Sequence, residues 1–258
     1  MKRTALVVLL AACQANGVND YPSRPGGGGP VIIGGGGGGG GGDSDAGADD
    51  GGVVDGGVPA SGRVCIVRDL RKPTGCDTSK NASGLVVSLG TRHPDRPPAR
   101  TGEFTIIAPF GTDLVWQVTG ANFITTVMPY GTDNTIPVVP DDLYVELLRS
   151  NPVIPPAPQE GSVVVRALSG GLSAIGVSAT STLISGNVLP RYDDAADTTG
   201  LVWREIGPTQ SDGVMWFPAV RVTTTPARVT LRPATGASVN VDVSVVDQAI
   251  TFVTTELQ

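Results

Sequence analysis

The side chains in this sequence that could do chemistry are few, and their spacing does not combine them into a reaction site. His93 is the one imidazole, set in the proline-rich stretch Thr91-Arg-His-Pro-Asp-Arg-Pro-Pro. Any Ser-His-Asp or Cys-His arrangement would have to run through it. No serine sits in a Gly-x-Ser-x-Gly elbow, and there is no His-Glu-x-x-His pair, so no catalytic residue is assigned. Asp43, Asp45, Asp49 and Asp50 offer the oxygen ligands calcium prefers, but Gly47 stands at the third ligand position and no glutamate closes the set. Asp193, Asp194 and Asp197 are no better spaced, so neither metal nor cofactor is assigned. Trp116, Trp203 and Trp216 all fall in strand-like runs, where core packing is the usual role of an indole. Trp203 and Tyr192 lie close to an inserted stretch, and if exposed they are the pair whose rings would contact a sugar. Cys13, Cys65 and Cys76 complete the reactive set.

Lys2 and Arg3 precede a short apolar run, Ala5 to Leu10, that is followed by the small residues Ala11 and Ala12, the pattern of an export signal. The run is far shorter than the ~20 residues that span a bilayer. Leu10-Ala11-Ala12-Cys13 resembles the lipobox of bacterial lipoproteins. That resemblance implies a signal peptide over residues 1–12, diacylation of the Cys13 sulfur, and a mature chain that begins there and meets the membrane through its lipid. An ordinary secretory signal cleaved nearby is the alternative. Residue 14 is glutamine rather than the aspartate that resembles an inner-membrane retention signal, so the resemblance implies an outer membrane lipoprotein, periplasmic or surface-exposed. With Cys13 acylated, Cys65 and Cys76 remain as an even pair in an oxidising compartment, expected to form a disulfide. Two free thiols or half a metal site are the competing readings, and a zinc site would lack ligands.

The elements that must position these groups begin after a compositional break. From Pro25 to Gly62 the chain is dominated by glycine, with an unbroken run from Gly34 to Gly42, and then by aspartate. Glycine loses most entropy on ordering and has no side chain to bury, so residues 13–62 are expected to be a disordered Gly/Asp-rich linker spanning about 40 Å root-mean-square. Net charge is −6, but residues 63–258 hold 15 basic and 18 acidic side chains, and no basic footprint suggests nucleic acid. Eight basic residues between Arg63 and Arg100 face only Asp69, Asp77 and Asp95, a locally positive stretch read as a solvated surface.

Beyond residue 62, short runs of valine, threonine and isoleucine alternate with Gly, Pro, Asp and Asn, which predicts an all-β sandwich. Strands are expected over 63–68, 85–89, 103–107, 114–119, 123–128, 162–167, 176–180, 201–206, 214–217, 221–224, 228–231, 239–246 and 249–254. Asp141 to Ser150 is the one helix, with an aspartate near its start, Leu143, Leu147 and Leu148 on one face and Arg149 near its end. The proline-rich Asn151 to Glu160 is a stiff connector, and a boundary is placed there. Residues 63–140 and 161–258 are thus expected to be two tandem sandwiches joined by a helix and connector over 141–160. Arg63-Val-Cys-Ile-Val-Arg parallels Gly161-Ser-Val-Val-Val-Arg, Ala82-Ser-Gly-Leu-Val-Val parallels Ala174-Ile-Gly-Val-Ser-Ala, and Thr101-Gly-Glu-Phe parallels Asp212-Gly-Val-Met, so the two are read as copies of one unit. The second carries an extra stretch from about Ser181 to Ser211.

Gly84-Leu-Val-Val-Ser-Leu, Thr101-Gly-Glu-Phe-Thr-Ile, Pro109-Phe-Gly and Leu114-Val-Trp-Gln-Val-Thr-Gly-Ala-Asn-Phe together resemble the carboxypeptidase regulatory-like, transthyretin-like β-sandwich, an Ig-like fold. The matching positions are turn and core residues, so the resemblance implies a fold and no activity. Thr101 stands where the family has a turn aspartate, and Cys65 and Cys76 are additions. The expectation is a non-enzymatic, lipid-anchored cell-envelope protein with a structural, adhesive or partner-binding role. Its partners would be the membrane through the lipid and an envelope protein or polysaccharide; the alternative is a carbohydrate-binding accessory module.

Overall fold

The computed structural model describes residues 57–258, apart from 112, 132 and 183–188. Cys13, the signal and Asp43 to Asp50 lie outside the described residues. Chain order is β1 (Val58–Ile66), β2 (Val86–Leu89), β3 (Glu103–Ala108), β4 (Val115–Thr119), β5 (Thr125–Pro129), β6 (Thr135–Val138), α1 (Asp141–Ser150), β7 (Glu160–Ser169), β8 (Leu172–Ser173), β9 (Ser178–Ser181), β10 (Arg191–Tyr192), β11 (Val214–Arg221), β12 (Ala227–Arg232), β13 (Val239–Val243) and β14 (Ala249–Leu257). The described residues form an all-β sandwich fold with one short helix. Period-two patterning made several strands legible: β3 reads Glu-Phe-Thr-Ile-Ile-Ala, and its second, fourth and sixth residues are buried.

The same topology occurs twice. β1 pairs antiparallel with β3 and parallel with β6, and β7 pairs antiparallel with β11 and parallel with β14. Facing these, β4 lies between β2 and β5, as β12 lies between β9 and β13. The copies are joined where β14 adds a parallel ladder to β5, Ala249 to Thr251 against Thr125 to Val127, giving one eight-stranded sheet. Cross-strand neighbours share a face. Tracing Ile250 to Thr126 and on to Val118 shows that the face carrying Val164, Trp216 and Phe252 is the one covered by β3-β1-β6 at the other end of the sheet. The sheet β13-β12-β9 covers the opposite face, through Val163, Val165, Met215 and Phe217. Two sandwiches thus lie on opposite faces of one shared sheet.

Three local expectations are corrected. Val58 to Gly62, read as tether, is strand, because it gains a full ladder against Phe104 to Ala108. Gly62 is needed there: a Cβ would lie 2.4 Å from the Phe104 ring. The expected strand over 201–206 is reduced to a bridge between Tyr192 and Arg204, and β10 takes the sheet edge instead. β6 was not anticipated, since its four residues are bracketed by turn residues and interrupted by Pro137. The helix falls where its acidic first turn, Arg149 and apolar spacing put it, burying Tyr144 and Leu147, with Leu143 and Leu148 packed beside them.

Candidate functional site

The two cysteines expected to pair do so: Cys65 and Cys76 form a disulfide with Cα atoms 4.8 Å apart. The loop it closes carries Asp69 and Arg71. The Arg71 guanidinium, 3% exposed, grips Asp69 at 2.9 Å and Asp197 at 3.3 Å. It also donates to the carbonyls of Asp194 and Asp197. The loop of the first copy is thereby latched to the inserted stretch of the second. Gly200, at φ +81°, makes the approach possible, since a Cβ would stand 2.7 Å from the Asp69 carboxyl carbon. Burial pushes the Asp197 carboxyl up, but hydrogen bonds from Thr199 and Val202 and the charge of Arg71 outweigh it, so it is held at about 2.

The weak aspartate group of the insert is therefore structural. Asp193 is fully buried and accepts from the backbone N–H groups of Gln210 and Asp212. Asp197 serves the latch, and Asp194 caps the turn at Ala196. His93 donates from Nδ1 to the Val87 carbonyl at 3.0 Å, holding a turn.

The aromatic pair singled out as a sugar contact is corrected. Tyr192 is 5% exposed and Trp203 3%, and they lie in different cores on opposite faces of the sheet. The Tyr192 hydroxyl accepts from the Ala179 N–H at 3.0 Å and donates to its carbonyl. Trp203 packs at 5.7 Å from the Trp216 ring, and its backbone N–H donates to Asn151 Oδ1. Burying large rings gains more than exposing them when nothing stacks on them. Asn151, read from sequence only as the start of a proline connector, also donates to the Leu147 and Leu201 carbonyls and so ties the helix to the insert.

One open recess lies where the two copies meet. Past Thr251 and Val127, β14 and β5 are no longer paired, and a groove of about 420 Å³ occupies the gap. Val164, Arg166 and Leu168 of β7 and Phe252, Thr254 and Glu256 of β14 form its floor; Met128, Pro129, Tyr130 and Pro137 stand on one side, with Pro73 and Thr74 of the disulfide loop. Arg166 is half-buried and its guanidinium makes no hydrogen bond or ion pair among the described residues, whereas the Glu256 carboxylate accepts from the Gly171 N–H. Tyr130 is 38% exposed and meets Trp116 edge-on. No local pattern signals this site, because its residues come from four strands and two loops far apart in the chain. Among the described residues no group of three or more His, Cys, Asp or Glu could hold a metal, and no helix is long and apolar enough to cross a membrane.

No family model matches the chain, and no curated protein matches it. Among solved structures it is similar to the gamma-CGTase from alkalophilic Bacillus clarkii, with 10% identity and a TM-score of 0.20 over 67% of this chain and 23% of that one. The chain therefore spans under a quarter of that enzyme's length, and likeness at this level carries no argument about activity.

Proposed function

We propose that this chain is a non-enzymatic, lipid-anchored protein of the bacterial cell envelope, attached at the outer membrane through Cys13, whose two carboxypeptidase regulatory-like, transthyretin-like sandwiches bind a protein partner. The observation that carries the choice of a protein over a polysaccharide is the burial of both Tyr192 and Trp203, which removes the aromatic platform on which a sugar-binding reading rested. The repeated topology supports the two-module reading, and the disulfide agrees with an oxidising compartment. The use of His93, Asp193 and Asp197 as structural ligands supports a role without chemistry.

Two experiments test it. Metabolic labelling with a radioactive fatty acid should mark the wild-type chain and not Cys13→Ala; equal labelling of both would sink the anchor. Co-sedimentation of the whole chain with insoluble polysaccharides, peptidoglycan included, should show no saturable binding, and crosslinking on intact cells should give a discrete protein adduct. Saturable sedimentation would reinstate the carbohydrate-binding module.

A further inference from the structure

The repeat itself shows how an open edge of this fold is covered. We propose that Val31-Ile32-Ile33, which lies outside the described residues, adds as a strand to the free edge of β3, in the place that β10 takes on the second copy. The occupant is a segment of this chain rather than a partner.

The free edge follows from backbone bonds. The Gly102 carbonyl accepts from the Val64 N–H of β1, so the next residue, Glu103, turns its backbone groups away from β1, and its carbonyl accepts from the Ala99 N–H. Alternation along the unbroken β1–β3 register turns Thr105 and Ile107 away from β1 as well. The residues across from them agree. Pro59, opposite Ile107, has no N–H to give, and the Ser61 carbonyl, opposite Thr105, accepts from the Asn134 side chain. β3 is the last strand of its sheet, Thr105 and Ile107 are exposed, and their outward N–H and C=O groups find no partner among the described residues. A recess of about 390 Å³ lies beside them, bounded by Asp95, Arg96 and Pro97. Such an edge is a template for another strand.

On the second copy the same edge is filled. The Gly213 carbonyl accepts from Ala167, as Gly102 does from Val64, and the Val214 carbonyl accepts from Asp193, as Glu103 does from Ala99. One step on, Trp216 pairs with Arg191 of β10, whereas the equivalent Thr105 has no such neighbour. The cause is local: two residues before Ala99 stands Pro97, which lacks the N–H that Arg191 has two residues before Asp193. What fits the first edge is therefore an extended segment running antiparallel to β3.

Chain length and composition pick the segment. The chain enters the fold beside the end of β3, since a Cβ on Gly57 would lie 2.4 Å from the Ile107 side chain. An antiparallel added strand finishes near Glu103, about 20 Å away, which is five residues along the strand and two strand spacings across. The Gly-rich stretch from Gly34 to Gly57 spans about 27 Å root-mean-square, and a tether matched to its span gives the highest effective concentration. Val53 and Val54 are too near, because the three residues from Val54 to Gly57 reach about 11 Å at most. Between Gly26 and Gly52, Val31, Ile32 and Ile33 are the only residues of high strand propensity. With Val31 opposite Ile107 and Ile33 opposite Thr105, all four open backbone groups are met, and Pro30 adds no N–H to the new outer edge. If Cys13 is the anchor, docking leaves a reach of about 23 Å between lipid and strand, so it also sets how far the body stands from the membrane.

The test is amide hydrogen exchange on the detergent-solubilised full chain, comparing wild type with the triple variant Val31→Gly, Ile32→Gly and Ile33→Gly. The Thr105 and Ile107 amides should exchange about tenfold or more slowly in wild type than in the variant. The Val64 and Ile124 amides, bonded to Gly102 and Val139, should be equally protected in both and report that the variant is folded. Fast exchange at Thr105 and Ile107 in wild type would overturn the proposal. Equal protection in both forms would overturn it too, assigning the edge to a second copy if protection falls on dilution and to another occupant if it does not. Each of these outcomes leaves the partner reading to its own experiments.

Discussion

The last strand of each sandwich holds the same place in its sheet and borders the same groove, yet one is closed and the other open. β6 is four residues long, interrupted by Pro137, and its first N–H is tied to Asp133. β14 is nine residues long and, beyond Thr251, unpaired on the side facing β6 and β5. Copies of one topology thus diverge at an edge, where a strand's backbone needs are met by its own residues or by something else. The first copy protects its edge with proline and a capping aspartate, both short-range devices. The second uses the start of β14 to join the copies and leaves the rest exposed. The cations show a related contrast: the Arg71 guanidinium is held by acceptors, and that of Arg166 makes no hydrogen bond or ion pair among the described residues.

The comparison can be broken most forcefully at the latch. Arg71→Met leaves Asp69 and Asp197 without their counter-charge and should cost about 3–5 kcal/mol in urea unfolding of the full chain. It should also loosen the Pro73–Thr74 side of the groove, read as increased proteolysis in the disulfide loop. Replacing Cys65 and Cys76 together with serine releases the loop constraint and should cost about 3 kcal/mol; equal unfolding midpoints for wild type with and without dithiothreitol would contradict this. Asn151→Ala removes three bonds that tie the helix to the insert and strands the buried Trp203 N–H, a loss of about 2 kcal/mol.

Acid should open the latch in a defined window. The Asp197 carboxyl is held at about 2 against an ordinary 3.8, so its contribution is complete above about pH 4 and is lost as pH falls toward 2. Asp197→Asn should be less stable than wild type at neutral pH, and the two stability curves should converge toward pH 2. The smallest effect sharpens the comparison most. Arg166→Gln should change stability by under about 0.5 kcal/mol, because that guanidinium has no partner to lose. A loss above about 1 kcal/mol would mean that Arg166 is held internally, and the contrast with Arg71 would fail.

Short-range physics made much of this legible. Period-two alternation located β3, β12 and β13, and the aspartates, leucines and Arg149 of Asp141–Ser150 marked the helix, because those signals depend on residues within one element. Similar runs at Arg63 and Gly161 anticipated that β1 and β7 occupy equivalent central positions. What residue type misled was burial. Trp203 and Tyr192 look like a surface pair beside an insertion, but the insertion folds back, through Arg71 and Asn151, and carries them inward.

The sequence by itself determined the class of fold, the longer strands, the helix and the cysteine pairing, since each follows from local patterning or from having only two cysteines in the body of the chain. Only the tertiary structure decided that the copies share a sheet, that Arg71 is satisfied and Arg166 is not, and that a groove lies between them. The reason is that edge pairing and the fate of a charge depend on what the chain brings across from far away. The register of Ala249 to Thr251 on Thr125 to Val127 is one such long-range event, and the groove is what lies past its end.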